Sequence, residues 1–97
     1  MAARTSGADR ASRIARQSPR FAAEAAALGR RVRELREARG WTLEQAAEAS
    51  NLDLKHLQKV EAGKLNPTLV TLVRLAEGFD EPMAALFKAP VAKAAKK

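Results

Sequence analysis

These 97 residues contain no cysteine, which excludes a disulfide framework and a thiolate metal site and fits a reducing compartment. No apolar run approaches the roughly 20 residues that cross a bilayer. The N-terminal MAARTSGADR lacks the apolar stretch of a secretory signal. Histidine occurs once, as His56, and no glycine-rich phosphate loop follows a strand. No pair of carboxylates sits on an enclosing scaffold. With neither a nucleophile–base pair nor a ligand cluster to assemble, the chain is expected to be no enzyme and to need no metal or cofactor.

What is present in excess is positive charge, and its placement says more than its total of +7. Residues 1–20 hold five arginines against Asp9, and residues 88–97 hold four lysines, so each end carries +4 while the stretch between them sums to −1. Basic ends neutralise phosphates and release counterions without reading sequence, or simply keep a small domain soluble. Residues 1–17, rich in Ala, Arg, Ser and Gly, have no sustained apolar period and are expected to be a disordered basic arm. Residues 89–97 are expected to be a disordered basic tail. Residues 18–88 remain as one domain with a modest core.

Inside it, Thr42 to Gly63 reads TLEQAAEASNLDLKHLQKVEAG and predicts two short helices joined by three residues. Thr42 is an N-cap, and Gln45 three residues later completes a capping box. Ala46, Ala47 and Ala49 are small enough for a second helix to cross close by. Asn51 tolerates a left-handed backbone, and Asp53 is placed to cap the next helix from Leu54. Leu52 and Leu57 are spaced as a hydrophobic staple, and Gly63 supplies the stop. At about 100° per residue, Leu57 and Val60 face inward while Lys55, Lys59 and Ala62 face outward, with His56 and Gln58 between. Such a face suits a major groove, and it equally suits a solvated lysine face on an ordinary core helix.

The residues LGRRVRELREARGWT, AAEASNL, LQKVEAGKLNPTLVTLVRLAE and MAALF, between Leu28 and Phe87, resemble the Cro/C1-type (XRE) helix-turn-helix family. The resemblance implies an all-α, compact five-helix bundle of the lambda-repressor-like type, flanked here by flexible basic tails, with Leu54 to Ala62 as the recognition helix. It further implies base contacts from Leu54, Lys55, His56 and Lys59. Lysine can donate to guanine, Leu54 offers apolar contact to a thymine methyl, and His56 either meets a base edge or phosphate or simply faces solvent. Thr42, Lys64 and Thr68 match phosphate-contacting positions, and Arg36 with Glu61 matches a structural ion pair. The chain departs from the family pattern at Leu43, where a phosphate-binding glutamine is usual, at Ala62, where a polar residue is usual, and at Asp80 and Glu81.

Ser18 and Pro19 predict an early helix start, followed by the stripe Phe21, Ala25, Leu28, Val32 and Leu35. Gly29 is expected to mark a kink or break in that helix. Phe21 and Ala25 extend past the compact bundle; Phe21 either folds back on its own domain, the preferred reading, or packs against another chain. Trp41 reads as a packing lid. Asn66 or Thr68 caps a fourth helix whose core-facing stripe is Leu69, Leu72, Val73, Leu75 and Ala76, with Gly78 as its end. Met83, Leu86 and Phe87 are expected to close the core, and Phe21 and Phe87 are candidate dimer contacts.

The reading is a cytoplasmic regulator, on the nucleoid when bound, that recognises double-stranded DNA as a homodimer on a two-fold operator and acts as a repressor. A phage regulator, a restriction-system controller and an antitoxin with a toxin or other regulator as protein partner fit equally. The alternative is a protein-binding adaptor on the same fold, with Leu43, Leu54 and Leu65 as exposed apolar contacts.

Overall fold

Ser18 starts the first helix in two ways at once: its Oγ accepts from the Phe21 N–H at 2.9 Å, and Pro19 after it is already set for helical backbone. The computed structural model of the protein describes residues 18–88, so the arm and the tail lie outside the described residues. Four α-helices follow: α1 (Pro19–Ala38), α2 (Leu43–Ser50), α3 (Leu54–Glu61) and α4 (Leu69–Phe79), then a 3-10 helix over Met83–Phe87. No strand occurs among the described residues. Where a fifth helix was expected there is this one short 3-10 segment, opened by the Ala85 N–H donating to the Pro82 carbonyl at 2.9 Å.

Each α-helix leaves by the same device, one residue in the left-handed region: Gly40, Asn51, Gly63 and Asp80. The next N–H reaches back five residues, as in Leu52 to the Ala47 carbonyl and Lys64 to the Lys59 carbonyl, which satisfies carbonyls that would otherwise be orphaned. Thr68 caps α4, its Oγ1 accepting from the Thr71 N–H at 3.2 Å. Thr42 and Gln45 close their capping box in both directions, at 3.1 and 2.8 Å. Asp53 occupies the N-cap position of α3 but makes no side-chain hydrogen bond there, so its help is limited to the helix dipole.

The core joins Leu28, Val32 and Leu35 of α1 to Ala46 and Ala47 of α2, Leu57 and Val60 of α3, Leu75, Ala76 and Phe79 of α4, and Leu86. Complete burial of a side chain such as Leu57 contributes about 1.5–3 kcal/mol. Helix α1 packs on α3, α2 crosses both α3 and α4, and the 3-10 helix lies against α1 and α4. Arg31 fastens that last segment, its Nε donating to the Ala85 carbonyl at 2.7 Å.

Several expectations are corrected. Gly29 does not kink α1, which runs unbroken; it lies where α3 comes closest, and a Cβ there would stand 2.5 Å from the Glu61 carbonyl oxygen. Gly78 does not end α4, which continues to Phe79, and Asp80 takes the left-handed exit. Leu69 and Val73 are exposed, because the apolar arc of α4 is wider than the surface its neighbours cover. Phe87 is 55 % exposed and closes nothing, whereas Leu86 is fully buried. Ala25 is buried against its own domain, beside Gly63, and Ala49 points to solvent.

Gly78 serves the crossing of α2 and α4: a Cβ there would lie 2.4 Å from Ser50 Oγ. Ser50 is itself buried, and its hydroxyl has no hydrogen-bond partner among the described residues. An unpaired buried hydroxyl costs about 1–3 kcal/mol. Ser50→Ala is therefore expected to raise stability by about 1 kcal/mol, read as a higher urea midpoint at unchanged slope. A loss of stability would mean that the hydroxyl has a partner in solution.

Candidate nucleic-acid interface

Helix α3 is two-sided. Leu57 and Val60 are buried on its inner face, and Lys55, Gln58, Lys59 and Ala62 are exposed on its outer face. Among the described residues neither Lys55 nor Lys59 is engaged in an ion pair, so both ammonium groups are free for another partner. Leu54, half-buried in the first turn, offers an apolar edge.

The inner side is fixed by charge as well as by packing. Arg36 of α1 donates to Glu61 from Nε at 2.7 Å and from Nη2 at 3.1 Å, and from Nη1 to the Trp41 carbonyl at 3.0 Å. The Glu61 side chain is 4 % exposed and that of Arg36 14 %. This bidentate fork holds the end of α3 against α1. The hydrogen bond to Glu61 raises the Arg36 pKa above its already high ordinary value, so this guanidinium stays charged at any working pH. Arg33, a residue that the sequence reading passes over, lies 3.5 Å from Glu61 with its own side chain 56 % exposed. Its signal was its place three residues before Arg36 on the same helix face.

His56, on the flank of α3, is turned in part toward the bundle. It is half-buried, and its Nε2 lies 3.5 Å from Thr71 Oγ1, at the long limit of a hydrogen bond, so the ring is turned toward α4. Thr71 Oγ1 is in turn 3.2 Å from Thr68 Oγ1. Thr42, Lys64 and Thr68 are all exposed, at the start of α2, just after α3 and at the start of α4. Thr42 Oγ1 accepts in its capping box, and a hydroxyl engaged as acceptor keeps its proton to donate. The N-termini of α2 and α4 add unpaired N–H groups and a positive dipole end, both suited to phosphate.

Leu43 and Leu65 pack against the core and, like Leu54, remain partly exposed. Trp41 stacks on Phe79 with ring centroids 5.7 Å apart, and Arg39 lies over both rings at 5.9 and 5.2 Å. Arg39 also donates to the Phe79 carbonyl and to Glu81. No three metal-ligating side chains cluster among the described residues, and no helix there is long and apolar enough to cross a membrane.

Residues 27–86 match the family model described as a helix-turn-helix domain. The chain belongs to the helix-turn-helix domain family. This helix-turn-helix chain is 32 % identical over 63 residues to the HTH-type transcriptional regulator SutR of Escherichia coli, a match over 65 % of the chain and 35 % of that regulator. It is 40 % identical over 52 residues to the HTH-type transcriptional regulator DdrOP3 of Deinococcus deserti, covering 54 % and 40 % respectively. The matches thus span well under half the length of these regulators. Among solved structures, the restriction-modification controller protein C.AhdI of Aeromonas hydrophila superposes with a TM-score of 0.65 at 38 % identity, covering 67 % of this chain and 98 % of that one. A transcriptional regulator of the HTH_3 family from Vibrio cholerae gives 0.66 at 25 % identity, over 69 % and 38 %. The similarity to Cro/C1-type regulators therefore extends from sequence to fold.

Proposed function

We infer that this chain is a sequence-specific DNA-binding regulator of transcription that lays α3 in the major groove, binds a two-fold symmetric operator as a dimer, and represses by blocking polymerase. The observation that carries this reading is the division of α3 into an inner face anchored by Leu57, Val60 and the Arg36–Glu61 fork and an outer face presenting two lysines with no ion pair among the described residues. A helix held that firmly with its cations uncommitted is suited to reading base edges. Lys55 and Lys59 are assigned to bases, Leu54 to an apolar base edge, and Thr42, Lys64 and Thr68 to phosphates. His56 is assigned a supporting contact to α4, from which the start of α4 and Thr68 are positioned.

The test is selection from a random duplex pool at about 150 mM salt, where binding by basic ends alone is weak. The native protein is expected to enrich a two-fold symmetric motif. Each well-placed contact to a base provides about 1–3 kcal/mol of discrimination, so Lys55→Ala/Lys59→Ala is expected to lose sequence preference while nonspecific binding at low salt persists. Unchanged selectivity in that variant would refute the assignment of α3. No enrichment by either protein would favour the adaptor reading.

A further inference from the structure

Helix α3 is flanked on both sides. At about 100° per residue, Glu61 and His56 lie about 140° apart around it, to either side of the buried Leu57 and Val60. Glu61 turns to Arg36 of α1 and His56 to Thr71 of α4, so α1 and α4 border opposite flanks of the outer face that carries Lys55 and Lys59. The approach of α1 is close: a Cβ on Gly63 would stand 3.1 Å from the Ala26 Cα, and one on Gly29 would stand 2.6 Å from the Val60 carbonyl oxygen. From Ala26 to Arg36, α1 therefore runs beside the last turn of α3.

On that flank Arg33 lies one turn beyond Gly29, with its side chain 56 % exposed and its Nε 3.5 Å from Glu61 Oε1. Arg30 is exposed one turn of α1 earlier, and Glu37, also exposed, is the acidic group one turn later. Glu61 does not use up the charge of Arg33. Both its oxygens already accept from Arg36, at 2.7 and 3.1 Å. The Arg33 distance lies outside the range of about 2.7–3.2 Å of an N–H···O bond. One carboxylate against two guanidiniums leaves a net +1, and the exposed guanidinium is the one held by the longer contact. The end of α3 brings no side-chain donor of its own there, since its last outward residue is Ala62. Groove dimensions say where such a cation stands. The major groove is about 12 Å wide, so a helix at its centre has a phosphate wall about 6 Å to each side. A packed neighbour has its axis about 8–10 Å away, over the wall and not in the groove.

We propose that Arg33 is a phosphate-binding residue of this domain. With α3 in the groove, the start of α4 with Thr68 meets one strand, and Arg33, projecting from α1, meets the other, exchanging its long contact with Glu61 for a phosphate oxygen. Arg36 stays on Glu61 throughout, so the exchange leaves the anchor of α3 in place. The exchange is cheap, because the bridge given up is largely solvent-screened on the Arg33 side. The proposal rests on the DNA-binding reading given above and adds to it a residue from outside the helix-turn-helix.

The salt dependence of binding tests it, measured by fluorescence anisotropy with the full chain and a labelled duplex carrying the selected motif, over about 100–300 mM salt. Loss of one phosphate contact lowers the slope of log K against log salt by about 0.9 and the affinity at about 150 mM salt by about fivefold, for each bound copy. Arg33→Gln is expected to show both changes with its ranking of sequences unaltered, and Arg33→Lys, which keeps the charge, to hold the native slope. Arg20→Gln serves as the comparison: Arg20 is exposed on the same helix but about 20 Å earlier along it, and its loss is expected to leave the slope unchanged. A fall in affinity at native slope would mean that Arg33 acts only through Glu61, and would overturn the proposal. So would native binding by Arg33→Gln, or a changed ranking of sequences; in each of these cases the native protein still selects its motif and the functional reading stands. If the native protein selects no motif, the functional reading falls and the proposal falls with it.

Discussion

Glu61→Ala is expected to destabilise the domain by about 3–5 kcal/mol, a large share of the roughly 5–15 kcal/mol that holds a domain of this size. The carboxylate is 4 % exposed, and Arg36 presents it with two donors in a fork. Removing it leaves the Arg36 guanidinium, itself mostly buried, with no counter-charge and only the Trp41 carbonyl as acceptor among the described residues. The reciprocal change, Arg36→Ala, is expected to cost less, because Arg33 already lies 3.5 Å from Glu61 and swings in as a second cation. Urea unfolding of both single variants and the double variant measures the coupling. A Glu61→Ala loss below about 1 kcal/mol would place the pair with solvent-screened surface bridges and remove the anchor of α3. The pH sign follows from Arg36. Its folded pKa is raised, chiefly by the hydrogen bond to Glu61, so its contribution is complete below the ordinary arginine pKa and fades only as pH rises through the still higher folded value. Across the ordinary working range the Arg36 side of this pair adds no pH dependence.

Gly29→Ala is expected to be nearly as damaging, about 3 kcal/mol, although helix propensity argues the other way. Alanine gains about 1 kcal/mol over glycine inside a helix. Here the new methyl would meet the Glu61 carbonyl oxygen at 2.5 Å, the Val60 carbonyl oxygen at 2.6 Å and the Glu61 carbonyl carbon at 2.9 Å. All three belong to the backbone of α3 and none can rotate aside, so α3 must retreat from α1, and overpacking of this kind costs at the upper end of its usual range. Retreat also stretches the Arg36–Glu61 fork, so Gly29→Ala and Glu61→Ala are expected to be less than additive. Under the proposed function, DNA selectivity is expected to fall with stability, because the outer face of α3 moves with its inner face. A melting temperature equal to or above native would show that α3 gives way at no cost.

The helix boundaries were legible because capping is local: Ser18, Thr42 and Thr68 each act within three residues of themselves, and Asn51 turns the chain with its own backbone. What periodicity cannot convey is how much of an apolar arc a neighbour will cover. Leu69, Leu72 and Val73 lie on one arc, yet only Leu72 packs against the core, and Phe87 next to the buried Leu86 is left outside. The glycines show the same limit. Gly29 and Gly78 were read for what they do to their own helix, whereas each is there for the helix that crosses it. Long-range ties to carbonyl groups, such as Arg31 to Ala85 and Arg39 to Phe79, leave no mark in spacing at all. For the candidate site, the outer face of α3 followed from its period, while the turn of His56 toward Thr71 depends on how α4 crosses α3.

The stack of Trp41 on Phe79 has an optical consequence. Trp41 is the single tryptophan of the chain and there is no tyrosine, so intrinsic fluorescence excited in the near ultraviolet comes from this one indole. It bridges the corner between α1 and α2 and the end of α4, with a guanidinium over its face. Separation of α4 from that corner hands the indole to water and moves its emission to longer wavelength. The chain thus carries its own reporter of helix docking, with no label added to the outer face of α3.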